Sequence, residues 1–308
     1  MRQGREGLLP LYLERIKQMG RVLTRPLFLY GGKQVASKKG KGTIDPFIMK
    51  DSRINFVAVP EHVEVLKVLM LGDLHAGHVC HSEELLDYYL GLLKADPDMR
   101  CILLGDLIEC HLRTSKGKPS HQVKSIPEQR RYLVEKLGPI ADRIDGAVPG
   151  NHEERQSDAG GDDITEVILN EIGCRHYFDP VGMVAYYTEK SRNVGYTVGL
   201  RHGSAGGQMI GSGLNAASKD VLNMVADIYV EGHCHKCTEG PKQGAMVTDW
   251  HNRCGSVRTY KVVTNGSLLD PRISYAAMKG YPWCLPEQGM LLFNMKKRNR
   301  CITMVRPQ

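Results

Sequence analysis

The chain has 308 residues but no run of about 18 apolar residues, the length that a membrane-spanning helix needs. Its first twenty residues carry basic side chains around a short apolar patch, yet charges interrupt that patch and no small-residue cleavage site follows, which argues against a secretory signal. The nine cysteines are odd in number and scattered, which favours reduced thiols over a disulfide framework. These absences predict a soluble cytoplasmic protein without a membrane partner.

The positive charge is confined to the beginning of the chain. Residues 1–50 contain eleven Lys or Arg and three Asp or Glu, a net charge of +8. The whole chain has a net charge of +7, so residues 51–308 together carry −1. Apolar spacing predicts an amphipathic helix over residues 6–24, followed by a Lys/Gly-rich loop. We therefore predict a basic extension of residues 1–60 and a folded domain of residues 61–308. The extension fits either docking on an acidic surface such as nucleic acid or a solvated tail.

Strands and helices alternate through the first half of the folded domain. The apolar run "VEVLKVLMLG" predicts a buried strand, and a capped helix pattern follows it from Ser82. The same succession is repeated with the strands "RCILLG" and "DGAVPG", whereas the chain after residue 174 is rich in strands. This order predicts an α/β fold, a four-layer sandwich of two facing mixed β-sheets flanked by helices.

Metal-binding side chains follow five of the predicted strands. Because the carboxyl ends of strands in α/β sheets collect at one edge, these side chains are expected to meet there. They are Asp73 and His75, Asp106, Asn151, His202, and His233 with His235. Imidazoles and carboxylates bind Zn, Mn and Fe well, so the set predicts a site for two divalent transition metal ions, with Asp106 able to bridge them.

In this order, the motifs "GDLH", "GDLIE", "GNHE", "RHGS" and "GHCH" resemble those of the calcineurin-like metallophosphoesterase superfamily. The resemblance covers residues 73–235 and implies a dinuclear hydrolase of phosphate esters, with manganese as the expected metal and iron or zinc as alternatives. It implies that Asp73, His75 and His235 bind the first ion, that Asp106 bridges, and that Asn151, His202 and His233 bind the second.

The resemblance also implies the catalytic groups. His152 would face the substrate and protonate the leaving oxygen, Glu109 would orient its ring, and a metal-bridging hydroxide would attack phosphorus in line. Arg155 and Arg201 lie beside ligand residues and would either hold phosphate charge or form structural ion pairs. Protein Ser/Thr phosphatases of this superfamily carry a phosphate-holding Arg where this chain has Cys110, which disfavours that activity.

The segment "CHLRTSKGKPSHQVKSIP", residues 110–127, leaves the predicted metal edge with four Lys or Arg and no acid. Such a loop suits a polyanion, although a solvated loop has the same composition. We therefore predict a phosphodiesterase of nucleic acid or nucleotides, similar to the nuclease branch of the superfamily. The alternatives are a phosphomonoesterase or protein phosphatase and, more remotely, a non-catalytic assembly subunit.

A second kind of metal site is also compatible with the sequence. Cys234-x-x-Cys237 followed by His251-x-x-Cys254 has the spacing of a structural zinc site. However, Cys234 stands between His233 and His235, and a turn that aims both imidazoles at the metals would direct the thiol away. The remaining cysteines are interpreted as ordinary thiols.

Overall fold

The computed structural model describes residues 53–113, 115, 118–190, 195–204, 209, 211–219, 224–249, 252–272, 284–296 and 301–307. The predicted helix of residues 6–24, the Lys/Gly-rich loop and His251 lie outside these ranges.

Twelve strands and five helices are described. The strands are β1 (Ile54–Val59), β2 (Val65–Leu71), β3 (Arg100–Leu103), β4 (Ile144–Ala147), β5 (Val181–Thr188), β6 (Gly195–Arg201), β7 (Ile228–Glu231), β8 (Thr238–Glu239), β9 (Gln243–Asp249), β10 (Cys254–Thr264), β11 (Met290–Asn294) and β12 (Ile302–Val305). The helices are α1 (Glu83–Ala95), α2 (Ile126–Leu137), α3 (Asn151–Asp158), α4 (Ile164–Glu171) and α5 (Ser212–Ala217), with short 3-10 turns at Pro119–His121 and Gly138–Arg143.

The smaller sheet has the order β12-β11-β2-β3-β4. Its strands β2, β3 and β4 are parallel, whereas β11 is antiparallel to both β2 and β12. The helix α1 connects β2 to β3, and its first turn is capped by the Ser82 side chain, which accepts a hydrogen bond from the Leu85 N–H. The parallel strands therefore all end at the same edge of the sheet.

The larger sheet has the order β1-β5-β6-β7-β10-β8, with β9 paired to the outer part of β10. β6, β7 and β10 are parallel, so their carboxyl ends also share one edge. β1 pairs in parallel with β5 along its whole length, although residues 54–59 fall within the predicted extension. The folded body therefore reaches back across the predicted boundary at residue 60. The segment "CRHYF", residues 174–178, contributes one bridge, between Ala147 and Tyr177.

Apolar side chains of both sheets interlock in one central cluster. Val68 and Phe293 enter it from the smaller sheet, and Val198 and Val230 enter it from the larger. These side chains are almost completely buried, and each such burial stabilises the fold by about 1.5–3 kcal/mol. The two sheets therefore face each other across a common core.

Helices cover the outer faces of both sheets. Leu86 of α1, Leu133 of α2 and Ile168 of α4 pack with Leu69 and Leu103 on the outside of the smaller sheet. A further cluster joins α5 to the outside of β7 and β10 through Leu214, Ala217, Tyr229 and Val262. The predicted four-layer sandwich of two mixed sheets is confirmed. In the described ranges, no helix combines the length and the apolar character needed to cross a bilayer.

Candidate metal centre

All seven predicted ligands stand immediately beyond the carboxyl ends of strands. Asp73 and His75 follow β2, Asp106 follows β3, and Asn151 is the first residue of α3 after β4. His202 follows β6, and His233 and His235 follow β7. The site thus lies where the edges of the two sheets meet.

The backbone at these positions adopts a conformation that is rare for residues with a Cβ atom. φ is 49° at Asp73, 47° at His75, 48° at Asp106, 62° at His233 and 55° at His235. Left-handed backbone at non-glycine residues is uncommon and concentrates at functional sites, where the surrounding structure holds it in place. The tight turns aim each side chain back over the end of its sheet.

One glycine permits the closest of these approaches. A Cβ atom on Gly150 would stand 2.0 Å from the Asp106 main-chain nitrogen and 2.2 Å from its Oδ1 atom. Any larger residue would therefore push the Asp106 turn away from the start of α3. This explains the glycine that precedes Asn151 and His152.

The first donor set consists of Asp73, His75 and His235, whose candidate ligand atoms all lie within 4.8 Å of one another. His235 Nε2 is 3.1 Å from Asp73 Oδ1, and the Nε2 atoms of His75 and His235 are 3.3 Å apart. The Asp73 side chain is fully buried. These three residues are the predicted ligands of the first ion.

The second donor set consists of Asp106, His202 and His233, again within 4.8 Å. His202 Nε2 is 3.3 Å from Asp106 Oδ2, 3.3 Å from His233 Nδ1 and 3.2 Å from Asn151 Oδ1. Asp106 Oδ2 also lies 3.8 Å from His75 Nε2 of the first set. Asp106 therefore stands between the two sets, in the position expected of a bridging ligand.

The donor chemistry fits cations. His202 Nδ1 donates to the Leu104 carbonyl at 2.6 Å, and His75 Nδ1 donates to Glu109 Oε2 at 3.0 Å. In each neutral ring, Nε2 then carries an unshared lone pair, and this lone pair faces other acceptor atoms. Asp73 Oδ1 is likewise buried and receives no hydrogen bond from the described part of the chain. Converging acceptors of this kind require positive charge between them, so the residues fit two metal ions.

The pKa values reflect the same concentration of negative charge. Burial lowers the pKa of His75, but the Glu109 hydrogen bond and the charges of Asp106 and Glu109 outweigh burial and raise it to about 9. Burial also lowers the pKa of His202, but the charge of Asp106 and its hydrogen bond to the ring outweigh burial and raise the pKa to about 10. Without a cation these imidazoles hold protons at neutral pH, so metal binding must displace them.

His152 and Glu109 are arranged differently from the prediction. The carboxylate of Glu109 bonds His75, and it lies 3.6 Å from His152 Nδ1. The ring of His152 is oriented instead by the main-chain carbonyl of Glu109, which accepts a hydrogen bond from Nδ1 at 2.5 Å. Nε2 of His152 lies 3.8 Å from Asp106 Oδ2, so this nitrogen faces the donor sets.

The two predicted phosphate-holding arginines differ in their surroundings. Arg155 lies on α3, and its Nη1 atom is buried without a hydrogen-bond partner in the described part of the chain. Its charge acts on both Cys110 and His152. Arg201 is half-buried at the end of β6, in register with Glu231 of β7. Arg155 is therefore the better placed to bind an anion, and the role of Arg201 stays a prediction.

Glu153 is an important residue to which the sequence assigned no role. Its buried carboxylate accepts main-chain N–H groups from Asp106 at 3.0 Å, Ile108 at 2.9 Å and Gly150 at 2.9 Å. It thereby ties the turn after β3 to the start of α3. Its position three residues after Gly150 is the helix-capping pattern, which was the available signal.

The alternative zinc site receives no support from the described residues. Cys254 is exposed and Cys237 is buried with its sulfur 4.0 Å from Met304 Sδ. Within the described ranges, no group of side chains able to hold a metal ion includes a cysteine. His251 lies outside those ranges.

No protein-family model and no curated protein matches the chain. Solved structures similar to it include the phosphoesterase YfcE from E. coli, with 18% identity, 79% of this chain and 100% of that chain covered, and a TM-score of 0.38. A single mutant of Vps29 from Entamoeba histolytica has 16% identity, coverage of 78% and 98%, and a TM-score of 0.38. The calcineurin-like phosphoesterase YfkN from Bacillus subtilis has 11% identity, coverage of 79% and 90%, and a TM-score of 0.35.

Two mixed sheets bring the ordered motifs together at one edge, which is the arrangement that the resemblance to the calcineurin-like superfamily implied. The branch within that superfamily stays a prediction.

Proposed function

We propose that the chain is a metal-dependent phosphodiesterase that hydrolyses phosphodiester bonds in nucleic acid or nucleotides. The observation that carries this proposal is the pair of donor sets on either side of Asp106, in which buried acceptors converge. When bound, two divalent ions supply Lewis-acid charge for the phosphate oxygens and lower the pKa of a coordinated water. We expect manganese, with iron or zinc as alternatives.

Residues from both sheets would hold the ions. Asp73, His75 and His235 would bind one ion, and Asn151, His202 and His233 the other, with Asp106 between them. Hydrogen bonds to Glu109 and to the Leu104 carbonyl fix the rings of His75 and His202, so that their Nε2 atoms would face the ions.

His152 is the proposed general acid. Burial lowers the pKa of His152 to about 4, so its ring is neutral at pH 7 before substrate arrives. Negative charge on a bound phosphate favours the protonated ring, because an opposite charge nearby stabilises the charged form. The ring can then give its Nε2 proton to the leaving oxygen, while the Glu109 carbonyl keeps it in place.

Arg155 is the proposed phosphate-binding cation. Cys110 is buried at the position where related protein phosphatases carry an arginine, and it supplies no charge. The buried Nη1 of Arg155 has no hydrogen-bond partner among the described residues, its charge acts on His152, and an arginine fork suits phosphate oxygens. An anion bound there would satisfy that donor.

Two measurements test the proposal. The purified protein should contain about two transition metal ions per chain by plasma mass spectrometry, as the two donor sets imply. It should hydrolyse bis-p-nitrophenyl phosphate faster than p-nitrophenyl phosphate when Mn²⁺ is supplied. Faster monoester turnover would favour the phosphomonoesterase alternative, and a chain that binds no transition metal would favour the assembly subunit.

A further inference from the structure

Two histidines that are not among the predicted ligands stand next to the metal centre. His78 lies three residues beyond His75 and is 9% exposed. Its ring centroid is 5.4 Å from that of His121, and the two rings are nearly perpendicular at 89°. Neither residue takes part in the mechanism proposed above, so that mechanism does not account for the pair.

Backbone pairing fastens His121 to the metal-binding loop. The Val79 N–H donates to the His121 carbonyl at 2.8 Å, and the Val123 N–H donates to the Gly77 carbonyl at 2.8 Å. His78 and Gln122 form an antiparallel bridge between these two bonds. The segment of His121 is therefore held at the rim of the metal centre.

A polar side chain fixes the same segment from its inner side. The buried Gln129 donates to the Lys124 carbonyl at 2.7 Å and accepts the Cys110 N–H at 3.1 Å. The two ends of the loop that begins at Cys110 are thus tied to one glutamine, which gives His121 a defined place.

His78 serves as a support for His121. Its Nδ1 accepts the Cys80 N–H at 3.0 Å, so the neutral ring carries its proton on Nε2. His121, by contrast, is half-buried and can reach a ligand.

The surroundings of His121 favour an anionic ligand. Arg113, Lys118 and Lys124 are exposed on the same segment, and residues 110–127 contain no acid. Imidazole and lysine donors suit phosphate oxygens, and successive phosphates are the regular feature of a nucleic-acid strand.

We propose that His121, supported by His78, binds the phosphate next to the scissile one, so that the substrate is an oligonucleotide strand with at least two phosphates. This inference rests on the proposed phosphodiesterase function. His121 is the binding residue, and His78 is a positioning residue that acts through it.

Thymidine dinucleotides can test the binding of a second phosphate separately from the proposed phosphodiesterase activity. TpT has one phosphodiester, whereas pTpT and TpTp carry a second phosphate on one side or the other. We expect kcat/KM with Mn²⁺ to be about tenfold higher for one of the phosphorylated dinucleotides than for TpT, the effect of one charge-assisted hydrogen bond. His121→Ala should reduce this ratio to near one.

Matched variants test the roles of the two histidines. His78→Ala should reduce the ratio, and His78→Gln, which keeps both an acceptor and an N–H donor, should restore most of it. His62→Ala, at an exposed histidine that pairs with Asp98 before the start of β2, should leave the ratio unchanged. Plasma mass spectrometry on each variant confirms that the metal content is retained.

The inference is overturned if the wild-type protein shows equal kcat/KM for all three dinucleotides, or if His121→Ala lowers turnover but keeps the ratio. If the wild-type protein hydrolyses none of them, the proposed function fails instead. In that case, calorimetric titration of the Mn²⁺-loaded protein with pTpT, TpTp and TpT decides the inference. Tighter binding of a phosphorylated dinucleotide that His121→Ala abolishes would support it, and equal binding would reject it.

Discussion

The two sheets provide unlike halves of the metal centre. The smaller sheet supplies both carboxylates, the amide of Asn151 and His75, and Asp73, Asp106 and His75 are at most 3% exposed. The larger sheet supplies imidazoles alone; His202 is 4% exposed, but the side chain of His235 is 35% exposed. The difference indicates that the smaller sheet fixes the negative charge at the centre, while His235 of the larger sheet completes the centre from the open side.

Hydrogen bonds show the same asymmetry. The turns of the smaller sheet bond one another, because the Asp73 N–H donates to the Gly105 carbonyl at 2.9 Å and the His75 N–H to the Asp106 carbonyl at 3.0 Å. On the larger sheet, the His233 N–H donates to the Asp73 carboxylate at 2.8 Å. The second half of the site is therefore positioned partly by the first, and the centre depends on the packing of one sheet on the other.

The strongest test of this asymmetry compares one ligand from each sheet. Asp106→Asn should weaken binding of both ions by more than about 100-fold, because even an outer-shell partner is worth about 10–100-fold. His235→Ala should weaken one ion and leave the other bound. Plasma mass spectrometry after dialysis measures the stoichiometry, and two ions retained by Asp106→Asn would contradict a bridging role.

The next test separates a loss of catalysis from a loss of metal binding. His152→Ala should lower kcat by about 10²–10⁴-fold, the usual loss for a general acid, and should keep both ions. The readout is turnover of bis-p-nitrophenyl phosphate together with metal content, with His62→Ala as the surface control. Equal turnover in His152→Ala and the control would remove His152 from the reaction.

A smaller effect distinguishes the two contacts of Glu109. Glu109→Gln removes the carboxylate from His75 but keeps the main-chain carbonyl that orients His152. We expect metal affinity to fall about 10–100-fold, with kcat restored at saturating metal. A lasting loss of kcat at full metal occupancy would show that the carboxylate serves His152, as the sequence predicted.

The smallest expected effect is the number of protons that metal binding releases. The raised pKa values of His75, about 9, and His202, about 10, mean that both rings are protonated in the metal-free protein at pH 7. Metal binding at pH 7 should therefore release up to about two protons, and the release should vanish above about pH 11, while affinity rises with pH over that range. Calorimetry in two buffers of different ionisation enthalpy measures the release. No release at pH 7 would mean that the two rings are already neutral.

Much of the site could be predicted because its ligands obey a local rule. Each stands just after an apolar run, and apolar runs of this length in an α/β chain are strands whose ends share an edge. Among the elements that were missed, β1 is an apolar run that was assigned to the basic extension, whereas β9 does not carry that signal. β1 lies next to the basic segment, and β9 forms an exposed ribbon with β10, in which Met246 and Val257 pair at 84% and 68% exposure. A strand that buries neither face has no apolar alternation to detect.

The order of residues alone therefore predicted the architecture and the candidate ligands, because strand periodicity and the chemistry of His, Asp and Asn are local properties. The packed structure decided which groups each of these side chains contacts. In that structure the Glu109 carboxylate hydrogen-bonds His75, and the Glu109 main-chain carbonyl hydrogen-bonds His152. Main-chain hydrogen bonds between separate segments place His121 beside His78. Those contacts depend on the direction of each side chain within a left-handed turn and on the pairing of distant backbone, which no short stretch of sequence specifies.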